Sequence, residues 1–327
     1  MLRRNLLALT LASAATAALP LAALAQSGAY PDRQVRLIVG FPAGTGPDVV
    51  ARTVGLKLGE LLKQPVVVDN RAGAGGQIGA QAVAKAAPDG YTLLLGEVGS
   101  ISIAPASYTK LSYDPARELV AVSELVRSDF ILVVPPNSPY RSVKELVAGA
   151  QAKGERVNFG TFGAGTPGHF GAEVFASEAG LKIEPVHYRA TGDAITALVA
   201  GDVQAAFVTT ALAAPQIKGG KLRALATTGA ARSALLPEVA TMAEAGFPKV
   251  DFSAWFALMA PAGTPAAALD ALGQAAVASL QAPEVRRVLQ EAGFTLAGTG
   301  RADSERMVKS EATRWAGVVK ATGFKAD

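Results

Sequence analysis

VRLIVGFPAGTGPD, from Val35 to Asp48, is an apolar, β-branched run that breaks at Gly40 into a glycine-rich loop closing on Pro47-Asp48. Valine and isoleucine at this density favour a strand, and proline and aspartate after glycine mark a helix start. The pattern predicts a strand over Val35–Val39 and a helix over Asp48–Leu62. It then repeats. PVVV leads into DNRAGAGGQIG, Asp69–Gly79, predicting a strand at Val66–Val68 and a helix at Gly76–Ala87. Tyr91–Leu95 is a third strand. A βαβαβ series with short connections implies an α/β fold with a largely parallel sheet covered by helices.

A second series follows what reads as a long polar connection. Strands are predicted at Phe130–Val134, Val157–Phe159, Ile183–Val186, Val203–Phe207 and Leu222–Thr227. Helices are predicted at Ser142–Ala150, Gly171–Gly180 and Asp193–Ala200. Ser142 with Glu145 three residues on has the form of a capping box. A third glycine loop, GTFGAGTPGHF, spans Gly160–Phe170. The tail offers a strand at Ser253–Met259 and helices at Pro265–Leu280, Pro283–Glu291 and Ser304–Ala321, which would pack back on the first series. Two βα series joined by crossovers make a hinged, two-lobed body with a cleft. Domain 1 is expected at 26–127 and 252–327, and domain 2 at 128–251.

The first 25 residues have the form of a secretory leader. Arg3 and Arg4 precede an apolar stretch that ends in Ala23-Leu24-Ala25. A soluble periplasmic protein released by signal peptide cleavage is expected. The chain has no cysteine, so neither a disulfide scaffold nor a lipidated N-terminal cysteine fits. The net charge of +4 falls to +2 without Arg3 and Arg4, and no basic run forms a patch. Nucleic-acid binding therefore has little support.

The three glycine loops all follow strands, and strand C-termini in a parallel sheet share one edge. Helix N-termini there present free amides and a positive dipole end to an anion. A dinucleotide does not fit: Val49 and Ile78 stand where a third glycine is needed. There is no G-K-[ST] either, and no cofactor is expected. A small carboxylate suits the loops better. Thr45, Ser100, Thr161 and Thr166 offer hydroxyls, and Phe41, Phe162 and Phe170 offer apolar walls. Catalysis finds little support, since G-x-S-x-G and H-E-x-x-H are both missing and the only histidines are His169 and His187. The chain is expected not to be an enzyme, although a Ser-His-Asp arrangement around His187 stays open.

Several long motifs in one order carry a resemblance. YPDRQVRLIVGFPAGTGPDVVAR (Tyr30–Arg52), PVVVDNRAGAGGQIGAQAVAKAAPDGYTLLLG (Pro65–Gly96), NFGTFGAGTPGHFGAEVF (Asn158–Phe175) and VHYRATGDAITALVAGDVQAAF (Val186–Phe207) resemble the Bug family. That family comprises the extracytoplasmic solute receptors of tripartite tricarboxylate transporters. The resemblance implies a two-lobed periplasmic binding protein fold, each lobe a mainly parallel sheet flanked by helices, closing on a small organic acid. Ligands would be di- or tricarboxylates or aromatic carboxylates, and the partner a permease of two integral membrane subunits. The binding residues it implies are Phe41, Ala43, Gly44 and Thr45 in the first loop, and Asn70 and Ala74 around the second. In the third they are Thr161, Gly165, Thr166, Pro167 and His169. A monomer is expected, because each chain carries a complete cleft.

Four positions depart from the family pattern: Thr45 for glycine, Pro47 for serine or threonine, Glu97 for a small polar residue, and Ala206 for aspartate. Thr45 would supply a hydroxyl where Pro47 removes an amide. Glu97 would oppose a second ligand carboxylate if it faced the cleft. Two other readings stand beside transport: a periplasmic sensor presenting its ligand to a signalling partner, and a carboxylate-ester hydrolase.

Overall fold

The computed structural model describes residues 30–188 and 191–326; the leader expected at 1–25 lies outside them. Lobe one opens with β1 (Val35–Val39), α1 (Gly46–Leu62), β2 (Val66–Asn70), α2 (Gln77–Ala84) and β3 (Thr92–Glu97). The expected polar connection is instead built of regular elements and largely buried. A helical turn at Gly99–Ile103 runs into α3 (Ala104–Ser107), followed by α4 (Pro115–Glu118). Ser100 through Ile103 are all buried, because the serines alternate with isoleucines that need cover. β4 (Leu119–Val134) then runs for 16 residues, of which the predicted Phe130–Val134 is only the end.

Lobe two follows as α5 (Val143–Lys153), β5 (Val157–Thr161), α6 (Pro167–Ala179), β6 (Ile183–His187), α7 (Thr191–Ala200), β7 (Ala205–Thr209), α8 (Thr210–Lys218) and β8 (Arg223–Thr227). Ser142 caps α5 as its motif predicts, accepting the Glu145 amide at 3.2 Å, while the Glu145 carboxylate accepts the amide of Arg141 at 2.6 Å. The chain returns through β9 (Ser253–Pro261), α9 (Ala266–Ser279), α10 (Pro283–Glu291), β10 (Thr295–Leu296) and α11 (Arg301–Thr322).

The sheet order is β2-β1-β3-β9-β4-β7-β5-β6. Each lobe has a parallel trio, β2-β1-β3 or β7-β5-β6, while β9 and β4 run antiparallel to their neighbours. β4 joins the two halves. Leu119–Asp129 pairs with β9, and Phe130–Val133 pairs with β7. Two register irregularities in the β9 pairing, after Ala121 and after Glu124, add twist to the strand before it enters lobe two.

One core cluster runs through both lobes, and α11 is its bridge. Trp315 is 1% exposed; its ring centroid lies 6.3 Å from those of Phe170 on α6 and of Phe252 at the hinge. Burying such aromatics contributes roughly 2–3 kcal/mol each before entropy is counted. Phe252 fits because position 171 is glycine: the place a Cβ would take there is filled by its ring. The same logic brings loops one and two together. A Cβ at Gly79 would sit 2.9 Å from the Cα of Gly40, so α2 lies directly on the end of β1.

Candidate functional site

The first loop is braced from within. Asp48, near the start of α1, is 4% exposed. Its Oδ2 accepts the Gly44 amide and Nε of Arg52, both at 2.9 Å, and its Oδ1 accepts Nδ2 of Asn70 at 2.9 Å. Asn70 also donates to the carbonyl of Phe41 at 3.0 Å and accepts Nη2 of Arg52 at 3.0 Å. Burial alone would raise the pKa of Asp48, but donors from Arg52, Gly44 and Asn70 outweigh it and hold the carboxyl below its usual range. Asn70 and Gly44, both implied as ligand contacts, also brace the loop through these bonds. Ala43, Gly44 and Ala74 are exposed at the loop tips. Thr45 occupies the N-cap position of α1, but its hydroxyl donates to the carbonyl of Pro42 at 2.7 Å.

Glu97 ends β3 beneath these loops. Its Oε2 accepts the amide of Gly99 at 2.8 Å, and its Oε1 accepts that of Ser100 at 2.7 Å. It is buried under Gly76, where a Cβ would lie 3.5 Å from its Oε1 and 3.4 Å from the Phe41 ring. Burial pushes its carboxyl up, against the pull of the two amides. Glu97 thus caps the turn at Gly99–Ile103 instead of pointing outward. Ser100 is part of that turn's interior: its hydroxyl donates to the Glu97 carbonyl at 3.3 Å, and its own carbonyl accepts the hydroxyl of Tyr113 at 2.6 Å.

Lobe two builds the opposing half. Thr166 N-caps α6, accepting the His169 amide at 3.4 Å and donating to the carbonyl of Gly163 at 2.8 Å. Pro167 follows as the first helical residue. Gly165, at φ +74°, turns its amide onto Nδ1 of His169 at 3.1 Å. An amide donor on Nδ1 fixes the neutral tautomer with the proton on Nε2. Burial first, and the nearby His187 second, push His169 down from 6.5 to about 4. The two imidazoles meet edge to face at 4.7 Å, and Nδ1 of His187 lies 2.7 Å from Oγ1 of Thr161. Burial lowers the pKa of His187 as well.

The predicted residues therefore fall into two groups, one on each lobe. Phe41, Ala43, Gly44, Thr45, Asn70, Ala74 and Ser100 belong to lobe one, while Thr161, Gly165, Thr166, Pro167 and His169 belong to lobe two. Sequence reasoning did not include Phe324. It follows α11, with its ring edge-on to His169 at 5.1 Å and to Phe170 at 5.5 Å. Ala326, two residues on, donates its amide to the carbonyl of Ser107 in lobe one at 2.8 Å, so the last residues tie the lobe-two loop to lobe one. No local pattern marks such a residue. Arg52 was readable from its i,i+4 spacing to Asp48. A cavity of about 570 Å³ also opens between the lobes, but beside the hinge and not among the glycine loops.

A family model described as the tripartite tricarboxylate transporter family receptor, TctC, matches residues 50–324. The chain is 36% identical over 306 residues to protein BugT of Bordetella pertussis, a match covering 93% of this chain and 94% of that one. The solved structure of R. palustris Rpa4515 with adipate matches with a TM-score of 0.80 at 32% identity, over 90% of this chain and 99% of that one. MatC from Rhodopseudomonas palustris with bound malate matches at 0.75 and 30% identity, over 89% and 100%.

Proposed function

Since the chain belongs to the tripartite tricarboxylate transporter receptor family, we propose that it captures a linear dicarboxylate between its two glycine-loop half-sites in the periplasm. It then delivers the acid to a membrane permease of two integral subunits. The observation that carries this reading is the matched construction of the two loops. In each, a glycine donates its amide to a side chain four residues on, Gly44 to Asp48 and Gly165 to His169. Each thereby holds a helix N-terminus, α1 or α6, in a fixed pose. The hydroxyls of Thr45, Ser100 and Thr166 already donate to carbonyls, and that of Thr161 meets His187. A carboxylate would therefore rely on main-chain amides and the helix dipoles. Adipate on Rpa4515 and malate on MatC support a dicarboxylate.

Capture without chemistry is part of the proposal. Among the described residues neither His169 nor His187 is hydrogen-bonded to a serine hydroxyl, which weighs against a hydrolase. The lobes would be 26–127 with 252–327, and 128–251, acting as one monomer. The test is thermal shift with native mass spectrometry on the mature, ligand-free protein against a panel of organic acids. A ligand at about 100 times its Kd should add about 2.7 kcal/mol of stability. A folded, ligand-free protein that no carboxylate stabilises would refute the reading.

A further inference from the structure

The cavity beside the hinge lies within the size range of small-molecule sites. Phe294 lines it and also packs on Gly46 at the start of α1, so the cavity abuts the first loop, although no residue of that loop lines it. Its floor is the hinge itself. Arg127 and Asp129 are two residues apart on β4 and so share a face, with Cα atoms about 6.6 Å apart. Ser253 of β9 is the cross-strand partner of Asp129. α10 brings Arg286 to the rim.

Several polar groups around this cavity already have partners. Arg232 is forked onto Glu244, Asp251 is paired with Arg314, and the Thr228 hydroxyl donates to the carbonyl of Phe252. Others do not. Among the described residues, the Asp129 carboxylate makes no hydrogen bond or ion pair, and neither does the hydroxyl of Ser253, a residue only 8% exposed. Arg127 engages Glu124 through Nε, which leaves its two terminal nitrogens without a protein partner. Burial raises the pKa of Asp129, as befits a carboxylate without a contacting counter-ion, although Arg127 partly offsets this.

A carboxylate beside a hydroxyl oxygen offers acceptors to an ammonium group. A guanidinium edge two residues away offers donors to a carboxylate. A dicarboxylate would set one charge against Asp129, and a simple amine would leave Arg127 unmatched. We propose that the hinge cavity is a second ligand site, for an α-amino acid held as its zwitterion. Its ammonium group would rest on Asp129 and Ser253, and its carboxylate on Arg127 with Arg286 beside it.

This site shares no lining residue with the glycine loops proposed to hold the dicarboxylate. The test is thermal shift and calorimetry on the mature protein with the standard α-amino acids at about 10 mM, each alongside its des-amino acid. At least one amino acid should raise Tm by several degrees, and its affinity should fall at least about tenfold in Asp129→Asn and in Ser253→Ala. Both variants should keep the wild-type response to dicarboxylates. Ser253→Ala removes no charge and carries the test if Asp129→Asn fails to fold. Equal amino-acid affinity in wild type and variants overturns the proposal, as does a wild-type protein that no amino acid stabilises.

Discussion

Gly165 donates its amide to Nδ1 of His169 at 3.1 Å, one helical turn ahead, and this bond requires the imidazole to be neutral. A protonated ring carries hydrogen on both nitrogens and can no longer accept. The Gly44–Asp48 bond has the same geometry with an acceptor that stays charged. The two jaws thus respond to acid at different pH values.

The His169 pKa is lowered on folding, from 6.5 to about 4. Between those values the unfolded chain binds a proton that the folded chain refuses. Stability is therefore full above pH 6.5 and falls as pH drops towards 4, by on the order of 3 kcal/mol. Denaturant midpoints measured from pH 7 to pH 4 should show this slope in wild type and a shallower one in His169→Gln. Identical slopes would show that His169 is not the responsible group.

Asp48 has the same sign in a lower pH window. Its pKa is lowered, so its contribution is present above the ordinary carboxylate value and fades as pH falls below about 4. Asp48→Ala leaves Gly44, Asn70 and Arg52 without an acceptor and should cost about 2–3 kcal/mol by urea unfolding. Dicarboxylate affinity should fall with it. A loss under about 0.5 kcal/mol would mean that the loop holds itself without the brace.

Gly171→Ala places a methyl group where the Phe252 ring lies. It should destabilise by about 1–3 kcal/mol, the usual cost of overpacking. Phe252→Leu should cost stability alone yet recover part of the loss in the double variant. Strict additivity across this double-mutant cycle would show that the two positions do not compete for one space.

Phe324→Ala removes the ring set against His169 and Phe170. Its cost should be about 1–2 kcal/mol, since the side chain is half-buried. More tellingly, His169 should gain water and titrate closer to 6.5, which NMR of the imidazole protons can follow. An unmoved titration would separate the tail from the jaw.

Much of the fold was legible because its strands are short β-branched runs closed by glycine. β4 was not. Its first part, LVAVSELVRSD, carries five polar residues and reads as a connection. Their partners lie far along the chain: the Ser304 hydroxyl accepts the Glu124 amide at 2.8 Å, and the Ser123 hydroxyl donates to the Thr299 carbonyl at 2.8 Å. α8 was missed because it starts directly at the end of β7 and holds Pro215 inside. In the candidate site, glycine and threonine spacing picked out loops that do follow strands, but not the bonds within them. Thr45 and Thr166 bond back to carbonyls three residues earlier, a local competition that composition does not reveal.

The pairing of β4 with β9 also has a kinetic side. Arg127 meets Trp255 and Leu119 meets Pro261, so the central pair of lobe one closes only after all of lobe two has been threaded between them. Lobe two lies within that interval and is the first part able to fold as a unit; closing so long a loop around an unfolded insert would be slower. A chain synthesised from its N-terminus thus makes the first glycine loop early yet seats it late. Any handling of the unfolded chain must tolerate VRLIV and PVVV as bare, strand-forming edges until β9 arrives.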